Sequence, residues 1–366
     1  MPARTGDRCA DPDPSNGLSL YLDMAADAPA VELIDGATVN TDTGSIVSNG
    51  HAITLPSFVV AQQAPAPEIR VFVTKRLVLR NTVVSGARAL AFIADDAIQV
   101  LGELNAVFGG VGATEDIVRC TAGDGTSGGI IGQGIGAGGA GYATRGGAGG
   151  GASGTIGSAG AAIDTDLQPL VGGCRGARAV GQGAGPIEGG TGGGAIQLFS
   201  RTSISIAVVD TSVGKISVGG GGGSTNDDTE NAHYGGGGGG SGGGVLLEAP
   251  EVVLAGAGAI IAANGGGGGS GGCSIGGFNG TASTIPAKGG AGCSGGHYAA
   301  GGDGGTSRVI PGNGTPSGPD YGAGGGGGGG AGNLVVRNAS GQFAPQDGAA
   351  LSAVVKVLPL RRRARR

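Results

Sequence analysis

Residues 235–269 read GGGGGGSGGGVLLEAPEVVLAGAGAIIAANGGGGG, so a stretch with strand-like patterning lies between two runs of glycine. Within it, residues 245–263 hold short period-two runs of aliphatic and β-branched residues, which are broken by Pro250 and by glycines. This pattern is typical of short β-strands bounded by turns. Similar stretches lie at residues 69–87, 88–107, 195–218 and 333–341. Units of roughly 20 residues with two or three strands have the size of β-solenoid coils, so the sequence predicts an all-β chain built on a short parallel β-helix.

Most of the glycine lies outside these units. The chain has 366 residues and 89 glycines, and 77 of the glycines fall in three blocks at residues 109–194, 219–244 and 264–332. Each block begins just after one predicted unit and ends just before the first strand of the next. A constant exit and re-entry point predicts that the three excursions leave the solenoid at one corner and stack as a second layer.

Two interpretations of the glycine blocks stay open. Runs such as the seven glycines at 324–330 are typical of flexible linkers. The other interpretation is a packed bundle of polyglycine-II helices, with three residues per turn and a rise of about 3.1 Å, whose backbones hydrogen-bond to several neighbours. The blocks carry apolar and aromatic residues and lie inside repeat units rather than between domains, and both observations favour the packed bundle.

Charge and composition exclude several classes of protein. The chain has 22 basic and 27 acidic residues, a formal net charge of −5, and a basic tail at residues 361–366 that holds five of the arginines. An acidic body with a short basic tail is not the layout of a nucleic-acid-binding face, so no nucleic acid is expected as a partner. The tail either stays disordered and keeps the chain soluble, or it contacts an anionic polymer or lipid. No apolar run approaches the roughly 20 residues that span a bilayer, so no transmembrane segment is expected.

The five cysteines predict disulfides rather than a metal site. None forms a C-x-x-C pair and the three histidines are scattered, so no metal and no cofactor are expected. Cys120 and Cys174 lie in the first glycine block, and Cys273 and Cys293 in the third. Crosslinking a glycine-rich loop within itself removes much unfolded-state entropy, so we expect Cys120–Cys174 and Cys273–Cys293 disulfides in an oxidising compartment. Cys9 is left without a predicted partner, and the start of the sequence shows no apolar signal-peptide core.

No motif in the sequence predicts catalysis. Residues 292–296 and 239–243 satisfy the G-x-S-x-G pattern of hydrolase elbows, but neither has a predicted strand before it and a predicted helix after it. Asp95 and Asp96 lie between two strands, where a turn is expected, and the aligned coils offer Ser, Thr or Pro instead of partner acids for polysaccharide cleavage. The acidic cluster at residues 226–230 matches no calcium loop. We therefore predict no catalytic residue and no enzyme activity.

Three stretches carry a resemblance to known proteins: RALAFIADDAIQVLGELNA at residues 88–106, GGGAIQLFS at 192–200, and the stretch 235–269. Their succession resembles a group of glycine-rich secreted or surface proteins of bacteria, myxobacterial ones especially, over about residues 60–340. The excursions are also similar in composition to the polyglycine-II tip adhesins of some phage tail fibres. The resemblance implies an extracellular or cell-surface location and no known catalytic residue. The Arg-rich tail and the lack of a visible export signal depart from the group's pattern.

Two His-Tyr pairs are candidate ligand contacts. His233-Tyr234 and His297-Tyr298 each lie near the tip half of an excursion. A tyrosine ring has a flat apolar face and a polar end, which suits binding to sugars or protein surfaces. In the alternative interpretation these rings fill space between glycine helices or cover the edge of the bundle.

Together these features predict a non-enzymatic, extracellular structural or adhesive surface protein that displays a rigid glycine-rich layer. Residues 61–360 form the solenoid with its excursions, and residues 1–60 act as a cap or anchor region. The partner is expected to be a surface glycan or a protein receptor. Two alternatives stay open. An ice-binding protein would need a regular array of Thr or small residues on one face. A carbohydrate-active β-helix enzyme would need an acidic cluster across coils.

Overall fold

A computed structural model describes residues 11–107, 109–113, 122–124, 134–151, 156–179, 186–225, 234–293, 299–317 and 322–363. Within these residues the regular structure is almost all β, as the sequence predicts, with one short helix. In chain order the elements are α1 (Ser19–Ala25), β1 (Val31–Leu33), β2 (Ala37–Asn40), β3 (Ser45–Ser48), β4 (His51–Ile53), β5 (Ser57–Val60), β6 (Ile69–Thr74), β7 (Leu77–Leu79), β8 (Thr82–Ser85), β9 (Ala89–Ala94), β10 (Ile98–Val100), β11 (Glu103–Asn105), β12 (Ala195–Ser200), β13 (Ser203–Val209), β14 (Ser212–Val213), β15 (Lys215–Ser217), β16 (Gly244–Glu248), β17 (Glu251–Ala255), β18 (Ile260–Ala262), β19 (Asn333–Asn338), β20 (Ala350–Leu351) and β21 (Val354–Pro359).

The strands form three sheets in which most neighbouring strands are parallel. Sheet 1 has the order β21-β19-β16-β12-β9-β6-β5, and sheet 3 has β20-β18-β15-β11-β8-β2-β3-β4. Sheet 2 has the order β1-β7-β10-β13-β14, with β17 also paired to β13. From β6 to β18 the chain visits sheet 1, sheet 2 and sheet 3 in turn, as in β6-β7-β8 followed by β9-β10-β11. The same order recurs in β12-β13-β15 and β16-β17-β18.

Successive strands stack in register, so one position of the repeat forms a row of side chains. In sheet 1 the row runs from Phe72 through Phe92, Leu198 and Leu247 to Val336. These five side chains are buried, and they pack with residues of sheets 2 and 3 in one main core. Because side chains alternate between the two faces of a strand, one face of each sheet builds this core.

The opposite face of sheet 1 is buried as well. Every residue of β6, β9, β12 and β19 is buried. The second face packs against Leu22 of α1 and against Leu167 and Leu170 of the first glycine block. Strands that are covered on both faces are expected to be almost continuously apolar, and the sequence of β9, ALAFIA, shows this.

Residues 31–60 lie at one end of the three sheets. β1 and β2 add parallel strands beside β7 and β8, and β5 adds an antiparallel strand beside β6. The buried Arg70 side chain points to this end and donates hydrogen bonds to the backbone carbonyls of Thr41 and Asp42. These strands and bonds cover the end of the main core.

The segment before β1 packs against the C-terminal tail. The Asp13 N–H donates to the Arg361 carbonyl at 3.0 Å. The Arg363 guanidinium donates to both carboxylate oxygens of Asp23, at 2.6 and 3.0 Å, and this bond lowers the pKa of Asp23. Arg363 is therefore held in place, and residues 364–366 lie outside the described part of the chain.

All three glycine blocks connect the same two sheets. They leave after β11, β15 and β18, which belong to sheet 3, and they return into β12, β16 and β19, which belong to sheet 1. The blocks therefore start from one row of neighbouring strand ends and finish at another.

Candidate functional site

The glycine-rich blocks form one hydrogen-bonded body. We call the described residues of 109–194, 219–244 and 264–332 the glycine layer. Most of these residues belong to no helix or strand, yet their N–H and C=O groups bond to other segments of the layer. Because buried peptide groups need partners, these bonds replace the ladders that helices and strands provide elsewhere.

The seven glycines at 324–330 show the pattern of these bonds most completely. Along the run, successive N–H groups donate to three neighbouring segments in turn, so that every third N–H meets the same neighbour. The first, fourth and seventh N–H groups donate to carbonyls within residues 134–140. The remaining four donate to residues 312–315 and 266–269.

The seven carbonyls of this run are bonded in the same rotating order. They accept from N–H groups within residues 236–242, 147–150 and 302–305, which are three further segments. Donor–acceptor distances across the run lie between 2.7 and 3.1 Å. The run therefore has six neighbouring segments, and its bonding repeats every three residues, as expected for a helix with three residues per turn.

Only glycine fits at the positions of this run. A Cβ atom at any of the seven would lie 1.8–2.3 Å from a carbonyl oxygen of another segment. The glycine runs at 235–240 and 265–269 are enclosed in the same way, with the nearest oxygen 1.9–2.2 Å from an added Cβ. The absence of a side chain therefore allows the backbones to approach closely enough to bond.

Segments at the edge of the glycine layer carry a larger residue at every third position. Examples are Arg145 and Ala148 in one segment and Ala300 and Asp303 in another, each pair separated by two glycines. Arg145 is exposed, and the other three are half-buried. Three residues per turn place every third side chain on the same side, so these segments turn glycine inward and side chains outward.

The structure confirms the predicted Cys273–Cys293 disulfide. It joins two segments of the third glycine block whose sequence separation is 20 residues. Cys174 is also disulfide-bonded, but its predicted partner Cys120 lies outside the described residues, as does Cys9. The Cys120–Cys174 pairing therefore stays a prediction.

Of the four predicted ligand-contact residues, only Tyr234 lies within the described chain. Its side chain is buried in a small apolar cluster with Ala137, Ala177, Ala179 and Ile187. This position is the one expected of a ring that fills space between glycine segments. His233, His297 and Tyr298 lie outside the described residues, so their role as ligand contacts stays a prediction.

The catalytic patterns weighed from the sequence fall on structural residues where the chain is described. Ser241, in one of the two hydrolase-like patterns, is fully buried, and its hydroxyl accepts the N–H of Cys174 at 2.8 Å. Asp95 forms an ion pair with Arg201 at 3.1 Å. Ser294 and the acidic cluster at 226–230 lie outside the described residues.

The described chain contains neither a metal cluster nor a membrane-spanning helix. It brings no three His, Cys, Asp or Glu side chains together in a way that would hold a metal ion. The same residues include no helix with the length and apolar character needed to cross a bilayer.

An open cleft of about 370 Å³ lies between the turn at residues 63–66 and the loop at 163–171 of the first glycine block. Its charged side chains are already paired. The Lys356 ammonium lies 2.8 Å from the Asp164 carboxylate, and the Asp166 carboxylate lies 3.1 Å from the Arg337 guanidinium. The cleft therefore presents paired charges, and it holds no isolated acid or base of the kind that catalysis uses.

A buried polar cluster around Glu248 joins the N-terminal segment to sheet 1. The fully buried Glu248 carboxylate accepts the Ser15 N–H at 3.1 Å, the Ser15 hydroxyl at 2.5 Å and the Gln197 amide at 2.6 Å. The Arg337 guanidinium lies 3.7 Å away. Burial raises the pKa of Glu248, and the donors offset this only in part. The sequence signal for this cluster is one acid within the apolar stretch VLLEAP, at residues 245–250.

Glu248 is expected to make the stability of the protein fall as the pH rises. The folded state holds the Glu248 proton to a higher pH than the unfolded chain, whose glutamates have a pKa of about 4.3. The stabilising contribution is therefore complete below that value and is lost as the pH rises through the folded-state pKa. We expect Glu248→Gln to remove this component from the pH dependence of the unfolding free energy, measured by urea titration between pH 4 and pH 8.

The control for this experiment is Glu251→Gln, a change of an exposed glutamate on the adjacent strand β17. Its unfolding free energy should follow the wild-type pH dependence. Parallel pH profiles for the wild type and Glu248→Gln would contradict the buried-carboxylate interpretation.

Comparison of the chain with profiles of known protein families, with curated proteins and with solved structures finds no match.

Proposed function

We propose that the protein is a non-enzymatic, extracellular structural or adhesive surface protein. In this proposal a short parallel β-helix is the support, and the glycine layer is a rigid polyglycine-II-like body that the support displays. The single observation that carries the proposal is the complete bonding of run 324–330 to six neighbouring segments. A flexible linker functions without such backbone bonding, whereas a rigid display surface requires it.

The sheet order supports the β-helix part of the proposal. Between β6 and β18 the chain visits the three sheets in a constant order with parallel, in-register stacking, which is the connectivity of a solenoid. The three-residue period of the bonds and the six neighbours support the polyglycine-II part. Because each glycine block starts at sheet 3 and ends at sheet 1, the layer is fixed to the support at six points.

The extracellular location is supported by the Cys273–Cys293 disulfide, because structural disulfides persist mainly in oxidising compartments. The resemblance to glycine-rich secreted or surface proteins of bacteria points in the same direction. The non-enzymatic part is supported by the structural roles of Ser241 and Asp95, which were the described residues closest to catalytic patterns.

The proposal is tested by comparing the adhesion of coated beads to bacterial cells. Beads that carry the wild-type protein should adhere to cells, and beads that carry Gly327→Val protein, in which we expect the glycine layer to be disrupted, should adhere far less. Fractionation of the producing cells should find the chain outside the cytoplasm. Equal adhesion of the two kinds of bead, or a cytoplasmic protein, would contradict the proposal.

A further inference from the structure

Two neighbouring segments at the edge of the glycine layer present side chains in regular rows. In the first segment, Ile275, Phe278 and Thr281 are exposed at intervals of three residues. In the second, Ile285, Lys288 and Ala291 are exposed at the same interval. Three residues per turn at a rise of about 3.1 Å place successive side chains of a row about 9 Å apart on one side. We call these six residues the apolar rim.

The backbone beneath the apolar rim is held firmly. The Phe278 N–H donates to the Lys288 carbonyl, and the Phe278 carbonyl accepts from Gly267, both at 2.9 Å. The buried Asn264 amide donates to the carbonyls of Thr281 and Ile285 at the turn between the two segments. The Cys273–Cys293 disulfide closes the other end. The exposed side chains are therefore attached to an ordered backbone.

The apolar rim exposes three large hydrophobic side chains. Phe278 is 60% exposed, Ile285 68% and Ile275 40%, and Phe278 is the most exposed phenylalanine of the described chain. Single exposed hydrophobic residues are common and need no explanation. Three of them on two directly bonded segments, in a chain with only 7 phenylalanines and no tryptophan, point to a binding surface.

We propose that the apolar rim binds an uncharged polysaccharide; this inference rests on the proposed adhesive function. Pyranose rings have an apolar C–H face and polar edges. The ring of Phe278 offers a flat apolar platform for that face, and Asn279, Thr281 and Thr284 are exposed polar side chains near it in the chain. A sugar chain that lies along the first row meets Ile275, Phe278 and Thr281 in turn.

The charge, polarity and size of the apolar rim favour an uncharged polysaccharide over lipids, acidic polymers and proteins. Lys288 is the only charged residue between positions 275 and 291, and it is paired with Asp303 at 2.7 Å. The apolar rim therefore offers no unpaired positive charge that would select an anionic lipid or an acidic polymer. Asn279 and Thr281 interrupt its apolar surface, and inserting them into a bilayer would remove water from polar groups. Six residues are also far fewer than the roughly 20–30 per side of a stable protein interface.

Co-sedimentation with insoluble cellulose, chitin, xylan and mannan tests this proposal. The wild-type protein should bind at least one of the four polysaccharides. Phe278→Ala should weaken that binding by about tenfold or more, because it removes the stacking ring. Phe278→Trp should retain the binding. Ile310→Ala is the matched control, since Ile310 is 86% exposed and lies outside the apolar rim, and it should bind as the wild type does.

The melting temperatures of Phe278→Ala and Ile310→Ala should equal that of the wild type, so that loss of binding reports on the surface. Three results would overturn the proposal: no binding of the wild type to any of the four polysaccharides, equal binding by Phe278→Ala, or binding to phosphatidylcholine vesicles that depends on Phe278. Any of these results, if wild-type beads still adhere to cells, would overturn the proposed binding at the apolar rim and leave the proposed function standing. Failure of wild-type beads to adhere to cells would instead overturn the proposed function.

Discussion

Replacing Gly327 by Val is expected to lower the free energy of unfolding by roughly 3–5 kcal/mol. A Cβ at this position would lie 2.1 Å from the Gly147 carbonyl oxygen, 2.5 Å from its carbon and 2.7 Å from the Ala148 oxygen. All three are backbone atoms, so no side chain can rotate away to make room. The segments must separate, and their hydrogen bonds break. Urea unfolding of the wild type and the variant measures the difference.

The matched control is Gly276→Ala, compared with Gly327→Ala. At Gly276 an added Cβ would meet one atom within 4 Å, the Gly223 oxygen at 3.3 Å, so the change should stay within about 1 kcal/mol of the wild type. Gly327→Ala should already be strongly destabilising. If Gly327→Val were neutral or slightly stabilising, as expected of a flexible linker, the packed glycine layer would be wrong.

Phe92→Ala is expected to cost about 3–5 kcal/mol of unfolding free energy. Phe92 is completely buried, its ring centroid lies 5.4 Å from that of Phe72, and Leu198 follows it in the same row. Removing the ring leaves a cavity at the centre of the main core, which residues from all three sheets line. Urea unfolding again measures the effect.

Val83→Ala in β8 of sheet 3 is the control for the core. Val83 is 53% exposed, so its truncation should change the unfolding free energy by about 1 kcal/mol or less. Similar losses for Phe92→Ala and Val83→Ala would mean that the sheets do not share one core.

The strands could be predicted from the sequence because each repeat unit carries local signals. Period-two runs such as those in residues 69–87 and 195–218 mark the strands, and Gly, Asp and Pro mark their ends. The common exit of the glycine blocks was also visible, because every block begins and ends at the same point of a unit. The Cys273–Cys293 pairing followed from the placement of both cysteines in one block.

Other features could not be read from the sequence because they depend on contacts between distant residues. Ser15 and Glu248 are 233 positions apart, and neither carries a local sign of the other. The packing of Asp13 and Asp23 against Arg363 likewise joins the two ends of the described chain. The sequence therefore does not indicate that the arginine tail packs against the N-terminal segment.

The edge of the glycine layer could be predicted from the sequence only in part. The exposed positions 275, 278 and 281 repeat every three residues in the sequence. That period indicates a structure only once the three-residue turn is known, because it matches neither the two-residue period of strands nor the 3.6-residue period of helices. The burial of Tyr234 depends on which segments surround it, and no local pattern specifies them.

Amide hydrogen exchange of residues 324–330 tests the packed glycine layer most directly. Because all seven N–H groups of this run donate to neighbouring segments, they should exchange only through unfolding of the layer, with protection close to that of the β6 and β9 amides. Exchange of these glycines at the rate of an unstructured peptide, while β6 and β9 stay protected, would contradict the packed layer and leave the three sheets carrying flexible loops.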